Sequence, residues 1–169
     1  MTQDFYSVFN LSPSFDLDLA ALEKRYFELQ RQFHPDRMLG KLPAERQRAL
    51  QASMTANQAY EALKSPLQRA QHLLGLKNIH VGGEQDSVKP SQALLVEIME
   101  LREVLSETST KLAFDILTQR TEQDISKTQH SLSKAFVGPD LPRAAELTIR
   151  LGYLEKLAQE IRLKKKALS

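Results

Sequence analysis

A histidine, a proline and an aspartate follow one another at His34, Pro35 and Asp36, and their types and spacing are the first in this chain to suggest chemistry. An imidazole beside a carboxylate can act as an oriented general base. No motif in the sequence supplies a nucleophile for such a pair, and there is no glycine-rich phosphate loop. The other histidines, which show no metal-ligand spacing, are His72, His80 and His130. We therefore expect no enzymatic activity, no catalytic residue, no metal site and no cofactor.

The composition limits the function further. The chain has 169 residues, 41% of them hydrophobic and 26% charged, which is close to the average of soluble globular proteins. The absence of cysteine excludes disulfides, cysteine–zinc sites and cysteine catalysis. No secretory signal or transit peptide is visible, no run of ~18 apolar residues could span a bilayer, and the net charge is only +2. We expect a cytoplasmic protein that binds neither membrane nor nucleic acid.

The elements that position the tripeptide are predicted to be helices. Apolar residues recur every three or four positions through most of the chain, which predicts an all-α fold. One helix is predicted from an N-cap at Asp16 to Phe33, where Pro35 ends it, and another from Pro43 to Lys64. With short helices over 4–10 and after Pro66, they form an antiparallel hairpin. The residues expected on the buried faces of the two long helices are Leu19, Leu22, Tyr26, Leu29, Phe33, Leu50, Ala52, Ala56, Ala59, Tyr60 and Leu63.

The second half of the chain is predicted to form a separate bundle. Residues 76–90 contain adjacent glycines and Pro90, so they are the predicted linker. Beyond them we predict an antiparallel three-helix bundle, with helices over 91–106, 109–135 and 140–168. The break before the last helix is predicted at Gly138-Pro139-Asp140-Leu141-Pro142, and the core stripe of that helix at Leu147, Leu151, Leu154, Ala158 and Ile161.

Basic residues surround the tripeptide, at Lys24, Arg25, Arg31 and Arg37. They would form a positive face that sets the rate and orientation of encounter with a protein partner, while Asp36 could pair with an arginine of that partner. Two simpler interpretations stay open. The cations could be an ordinary solvated helix face, and the tripeptide could be a helix stop with a capping aspartate.

The predicted helix over 91–106 has two different faces. At about 100° per residue, a core stripe is predicted at Leu94, Ile98, Leu101 and Leu105. Leu95 and Met99 lie about a right angle or more from that stripe, and Val96, Glu100 and Glu103 continue around the opposite side. Exposed apolar side chains beside charges are typical of a protein-binding surface. The alternative is that the apolar residues of this second face widen the core or pack against the first half of the chain.

The tripeptide and its surroundings resemble the J-domain family, the activators of DnaK-type ATPase chaperones. The residues that carry this resemblance are Asp4-Phe5-Tyr6, 26–33, His34-Pro35-Asp36, 57–63, Pro66 and Arg69-Ala70. The continuation 70–75 and the segment 94–103 resemble the HscB-type co-chaperones of iron–sulfur cluster assembly. Neither a zinc ribbon nor a glycine/phenylalanine-rich region is present. The chain also lacks the Cys-x-x-Cys extension of animal members, so it resembles the bacterial form.

This resemblance implies a function and its sites. It implies an L-shaped protein with a J-domain over 1–75, a linker over 76–90 and a three-helix scaffold-binding domain over 91–169. The tripeptide would dock on a specialised DnaK-type chaperone, the HscA type, and stimulate its ATPase. The other domain would bind the iron–sulfur scaffold protein, the IscU type, and so promote cluster transfer. The scaffold-binding positions implied are Leu95, Val96, Met99, Glu100, Glu103 and Tyr153. Two of them depart from the common pattern: Val96 stands where Met or Leu is common, and Tyr153 where Phe is common.

Two other functions remain as alternatives. The chain could be a J-domain co-chaperone for an unrelated client. It could also be a helical nucleic-acid-binding protein that uses the cations Arg162, Lys164, Lys165 and Lys166. Cations at a helix C-terminus are favoured by the helix dipole without any ligand, so this last cluster does not by itself indicate a nucleic acid.

Overall fold

The computed structural model describes residues 3–83, 88–138 and 140–168. Its secondary structure there is helical, without a strand, which confirms the all-α prediction. The elements are α1 (Phe5–Val8), α2 (Leu19–Gln32), a 3-10 turn (Pro35–Met38), α3 (Pro43–Lys64), α4 (Pro66–Gly75), α5 (Gln92–Glu107), α6 (Lys111–Val137) and α7 (Leu141–Ala167). None of the helices in the described ranges is both long and apolar enough to cross a membrane.

Backbone contacts divide the chain into two compact units, Met1–Leu76 and Lys77–Ser169. Two parts of the sequence predictions, residues 84–87 of the linker and Pro139 of the break before the last helix, lie outside the described residues. The three predicted helices of the second half agree with α5, α6 and α7 to within two residues at each end. Hydrophobic periodicity is therefore sufficient to place these helices.

In the N-terminal unit, α2 and α3 form an antiparallel hairpin, and α1 and α4 pack against α3. The core combines large side chains with small ones on α3, and it consists of Tyr6, Phe9, Leu22, Ala56, Ala59 and Leu63. The alanines let the helices approach closely. Arg69 closes the unit from α4, because its Nη1 donates to the carbonyl of Leu63 at 2.8 Å and its guanidinium lies over the ring of Phe15.

A buried histidine joins α4 to α1. His72 is 8% exposed, and its Nε2 accepts the N–H of Phe5 at 3.0 Å. The two rings stack with their centroids 4.5 Å apart. Asp4, the N-cap of α1, accepts the N–H of Tyr6 and lies beside the same imidazole. These contacts give a structural reason for the sequence Asp4-Phe5-Tyr6.

The C-terminal unit is the predicted three-helix bundle. The last helix packs against both α6 and α5, and one end of the core brings together residues of all three helices: Leu105, Phe114, Leu117, Leu157 and Ile161. The predicted stripe on α7 is largely buried, with Ala158 partly so. Leu157, which was not predicted in that stripe, is also buried because α7 faces two helices at once.

Several details of the N-terminal predictions are wrong. The N-cap of α2 is Asp18 and not Asp16: its Oδ1 accepts the N–H groups of Ala20 and Ala21 at 3.0 and 3.2 Å. Because α2 begins later than predicted, Leu19 is its first residue and is 49% exposed instead of buried.

Three further details differ from the predictions. Leu50 is 56% exposed, because the inner face of α3 passes through Ala49, about 100° away. The first helix is shorter than predicted, since Asn10 adopts a positive φ of 51° just beyond it. Tyr6, which was not among the predicted core residues, is completely buried, and its hydroxyl donates to the carbonyl of Ser14 at 2.6 Å.

Candidate functional site

The tripeptide loop consists of His34, Pro35 and Asp36; it follows α2 and forms the beginning of the 3-10 turn, with His34 as the N-cap. His34 has an extended backbone (φ −59°, ψ 140°), as expected of a residue that precedes proline. Its Nδ1 accepts the N–H of Asp36 at 3.2 Å, and its carbonyl accepts the N–H of Arg37 at 2.9 Å. The side chain that caps this turn is therefore the imidazole of His34 and not, as the simpler interpretation had it, the carboxylate of Asp36.

The hydrogen bond from the N–H of Asp36 to Nδ1 of His34 determines which groups the loop presents to a partner. Because Nδ1 is an acceptor, a neutral imidazole carries its proton on Nε2. Asp36 Oδ2 lies 3.6 Å from Nδ1, and the side chains of His34 and Asp36 are 58% and 85% exposed. In a catalytic His–Asp pair, by contrast, the imidazole donates from Nδ1 to the carboxylate. The loop therefore offers a partner an N–H donor and a carboxylate, and it lacks the geometry of an activated base.

The four predicted cations near the loop are all exposed. Lys24 and Arg31 are seven residues apart and so share one face of α2, the face opposite the core. Arg25 lies about 100° around the helix from Lys24, and Arg37 lies in the 3-10 turn. Among the described residues, none of the four side chains forms an ion pair. Their charges are thus available to an acidic partner, although a solvated face would have the same appearance.

A chain of side-chain hydrogen bonds holds α2 against α3 behind the loop. Asn57 Oδ1 accepts the hydroxyl of Tyr26 at 2.6 Å and the amide of Gln30 at 2.8 Å, and Gln30 Oε1 accepts the hydroxyl of Ser53 at 2.9 Å. The rings of Tyr26 and Tyr60 stack with centroids 4.1 Å apart. These contacts fix the register of the hairpin and hence the position of the tripeptide loop. This network was not predicted, because its only trace in the sequence is polar residues four apart on both helices.

The α5 outer face, defined by Leu95, Val96, Met99, Glu100 and Glu103, is exposed to solvent as predicted. Its apolar members are 43%, 49% and 70% exposed for Leu95, Val96 and Met99. On the inner face, Leu94 and Leu105 are 5% and 2% exposed. Within the C-terminal unit, the outer face therefore does not widen the core.

Two ion pairs attach α5 to α7. Arg150 Nε donates to both carboxylate oxygens of Glu97 at 3.1 Å, and its Nη2 donates to Oε1 at 2.6 Å. Hydrogen bonding to Glu97 is also the main reason that the pKa of Arg150 is raised. The guanidinium of Arg150 further contacts Thr128 of α6, and Arg102 pairs with Glu160. Neither ion pair was predicted, because the partners in each are more than 50 positions apart in the sequence.

Tyr153 lies in a groove between α5 and α7. The groove is lined by Ile98, Leu101 and Leu157 among others, and Tyr153 is 38% exposed. The aromatic ring therefore contributes to the surface next to α5. The structure thus places Tyr153, one of the positions implied by the resemblance, at the surface between α5 and α7.

The basic C-terminus of α7 has internal partners. Lys165 pairs with Asp115 of α6, and Nε of Arg162 donates to the carbonyl of Ala158 one turn earlier. These contacts, with the helix dipole, account for part of the cluster without a nucleic acid. In the ranges that the structure describes, no group of three His, Asp or Glu side chains is placed to hold a metal ion.

Known proteins resemble the chain over nearly its full length. Residues 90–162 match the family described as the HSCB C-terminal oligomerisation domain. The co-chaperone protein HscB homolog of Shewanella loihica is 33% identical, covering 98% of this chain and 99% of its own, and that of Pseudoalteromonas atlantica is 35% identical, covering 98% of each. The crystal structure of human co-chaperone protein HscB superposes with a TM-score of 0.87 at 30% identity, covering 97% of this chain and 83% of that one.

The chain belongs to the HscB family of co-chaperones. This confirms the resemblance found in the sequence and the role in iron–sulfur cluster assembly at the level of the family. HscB proteins are co-chaperones and not an enzyme family. Membership implies, in general terms, a chaperone-type partner and a scaffold partner. The residue-level roles of the tripeptide loop, the cations and the α5 outer face stay predictions.

Proposed function

We propose that this HscB-family co-chaperone binds an IscU-type iron–sulfur scaffold protein and delivers it to an HscA-type chaperone of the DnaK family. In this proposal the J-domain spans residues 1–75, the linker 76–90 and the scaffold-binding domain 91–169. The tripeptide loop and the α2 cations contact the chaperone and stimulate its ATPase. The ATP-driven change in the chaperone then promotes transfer of the cluster from the scaffold to acceptor proteins.

The exposed apolar row on α5 is the observation that carries the scaffold half of the proposal. Leu95, Val96 and Met99 are about half exposed or more, although inner-face residues and two ion pairs already hold their helix in the bundle. Burying such side chains against a partner stabilises a complex by about 1 kcal/mol each, because each is only partly exposed beforehand. Met99 adapts readily to a partner surface, and Glu100 and Glu103 favour a basic rim opposite.

Preorganisation supports the chaperone half. The imidazole of His34 and the backbone of the tripeptide loop are held by two local hydrogen bonds and by the ring of Pro35. Groups held in their binding geometry lose less conformational entropy on association. The exposed carboxylate of Asp36 suits an arginine of the chaperone, and Lys24 and Arg31 suit an acidic surface around it.

In this proposal one chain carries both surfaces, so the co-chaperone links the scaffold to the chaperone. When the co-chaperone holds the scaffold and contacts the chaperone at the same time, scaffold and chaperone meet within one complex. The effective concentration of the scaffold at the chaperone therefore rises. Stimulation of the ATPase would then be greatest when scaffold and co-chaperone are present together. This synergy is the behaviour that the proposal requires.

The test uses two assays on the same set of full-length variants. One measures ATP hydrolysis by the DnaK-type partner with and without scaffold, and the other measures scaffold binding by titration. His34→Gln should abolish stimulation and leave scaffold binding unchanged. The combined change of Leu95, Val96 and Met99 to alanine should weaken scaffold binding at least ~30-fold and leave scaffold-independent stimulation intact.

Matched controls come from the same chain. His130→Gln removes an exposed histidine of the other unit, and the pair Leu112→Ala and Ile116→Ala removes apolar side chains that are 71% and 60% exposed on α6. Both controls should behave as the unchanged protein. A folded variant that lost both activities would contradict the separation of the two surfaces. If the unchanged protein stimulated the ATPase but did not bind the scaffold, an unrelated client would be the better explanation.

A further inference from the structure

A polar cleft of about 410 Å³ opens between α5, α6 and α7 of the C-terminal unit. Its volume is within the range of binding pockets in proteins. The cleft is open to solvent, and charged side chains from all three helices line it. Glu97 comes from α5, Lys127 from α6, and Arg143, Glu146 and Arg150 from α7.

Two of these five charges form an ion pair within the cleft, and a third accepts a backbone hydrogen bond. Glu97 and Arg150 form the ion pair described above, and Glu146 Oε1 accepts the N–H of Ser91 at 3.2 Å. Lys127 and Arg143 are different: both are exposed, and within the described residues neither side chain forms a hydrogen bond or an ion pair. The first turn of α5 also lines the cleft and adds the positive end of a helix dipole. Outside the pair of Glu97 with Arg150, the cleft carries two cations and one carboxylate, so its net charge is positive.

The cleft is continuous with the α5 outer face. Ala93 and Glu97 line the cleft. Val96 of the outer face lies three residues after Ala93, and Glu100 lies three residues after Glu97. Residues three apart are neighbours on a helix surface. A protein that covers the outer face therefore reaches the edge of the cleft without a gap.

We propose that this cleft binds an acidic segment of the scaffold protein that occupies the α5 outer face. This inference rests on the proposed function and extends its binding surface. The outer face carries the carboxylates Glu100 and Glu103, and the cleft beside it carries the free cations Lys127 and Arg143. A partner that matches both must be basic on one side and acidic on the other. The reversed orientation would place like charges together, so the cleft fixes the direction in which the scaffold binds.

The experiment is a titration of the full chain with purified IscU-type scaffold at low and at physiological ionic strength. Combined reversal of the two charges, Lys127→Glu with Arg143→Glu, should weaken binding about tenfold at low ionic strength and less at higher ionic strength. The control reverses two exposed cations on the same helices that do not line the cleft, Arg120→Glu with Lys156→Glu. This control has the same net charge as the cleft variant, and it should change scaffold binding by no more than about twofold. Thermal unfolding and scaffold-independent ATPase stimulation verify that each variant is folded.

The outcomes separate this inference from the proposed function. A cleft variant that binds the scaffold as well as its control does would overturn the inference. If the Leu95, Val96 and Met99 variant then still lost binding, the proposed function would stand without the cleft. If the unchanged protein did not bind the scaffold at all, the proposed function would fail and the inference with it. If the cleft variant binds the scaffold more weakly than its control does, and the difference becomes smaller at higher ionic strength, the inference is supported.

Discussion

The buried imidazole of His72 should make the stability of the N-terminal unit depend on pH. Burial is the main cause that lowers the pKa of His72 below its usual 6.5. The carboxylate of Asp4, whose Oδ1 lies 3.7 Å from Nε2, acts in the opposite direction but does not outweigh burial. Protonation of Nε2 would also remove the acceptor for the N–H of Phe5. The folded unit therefore keeps this imidazole neutral to lower pH than the unfolded chain does.

The sign and size of the effect follow from proton linkage. Above pH ~6.5 the imidazole is neutral in both states, and its contribution to stability is fully present. As the pH falls below that value, the unfolded chain takes up a proton first, so the free energy of unfolding decreases. For a group that stays neutral when folded, the loss between about pH 7.5 and about pH 5.5 integrates to about 1.4 kcal/mol. This is the largest loss that His72 can cause in that interval.

The assay is urea unfolding of the full chain followed by tyrosine fluorescence at several pH values. The chain has no tryptophan, and three of its four tyrosines, Tyr6, Tyr26 and Tyr60, belong to the N-terminal unit. His72→Gln keeps an acceptor for Phe5 but does not titrate, so it should lose most of the pH dependence. His34→Gln removes an exposed histidine and should keep it. The reasoning is refuted if His72→Gln retains the full dependence, or if the unchanged unit becomes more stable as the pH falls.

Two further changes test the loop and the bundle. His34→Asn can still accept the N–H of Asp36 but has no group at the position of Nε2, so ATPase stimulation should be lost with unchanged thermal stability; full stimulation would show that only the turn matters. Glu97→Gln leaves the half-buried guanidinium of Arg150 without its charged partner and should lower the free energy of unfolding by about 1–2 kcal/mol in urea titrations. Glu107→Gln, an exposed change on the same helix, should alter it by less than about 0.5 kcal/mol, and equal effects of the two would contradict the importance of the pair.

Helix positions could be predicted from the sequence because burial of one face imposes a period on apolar residues. The predictions are wrong where that period does not distinguish between neighbouring residues. Asp16 and Asp18 are both good N-caps. Ahead of the helix, Phe15 is buried and Leu17 packs on the core, so the start of α2 depends on tertiary contacts. Leu50 is predicted on the buried face because its side chain is large and apolar, but the adjacent Ala49 occupies that position.

The candidate site could be predicted only in part, for a related reason. Exposure of the α5 outer face follows from angles within one helix, so the sequence was sufficient. The pair of Glu97 with Arg150 joins residues 53 positions apart on different helices, and the free charges of Lys127 and Arg143 depend on which neighbours the bundle supplies. Such contacts leave no local pattern in the sequence, so they become visible only in the packed helices of the structure.

The way α5 is held explains how it can keep an apolar outer face. The helix buries two of its 16 residues, Leu94 and Leu105, whereas α7 buries eight of 27. Its ion pairs compensate for this thin apolar contact, because Glu97 and Arg102 lie about 60° and about 80° from Leu94 on opposite sides of the buried stripe. Both pairs lead to α7 and hold the helix along its two edges. The residues that hold α5 in the bundle therefore differ from those proposed to bind the scaffold. Alanine in the outer face should weaken binding of the partner without destabilising the bundle.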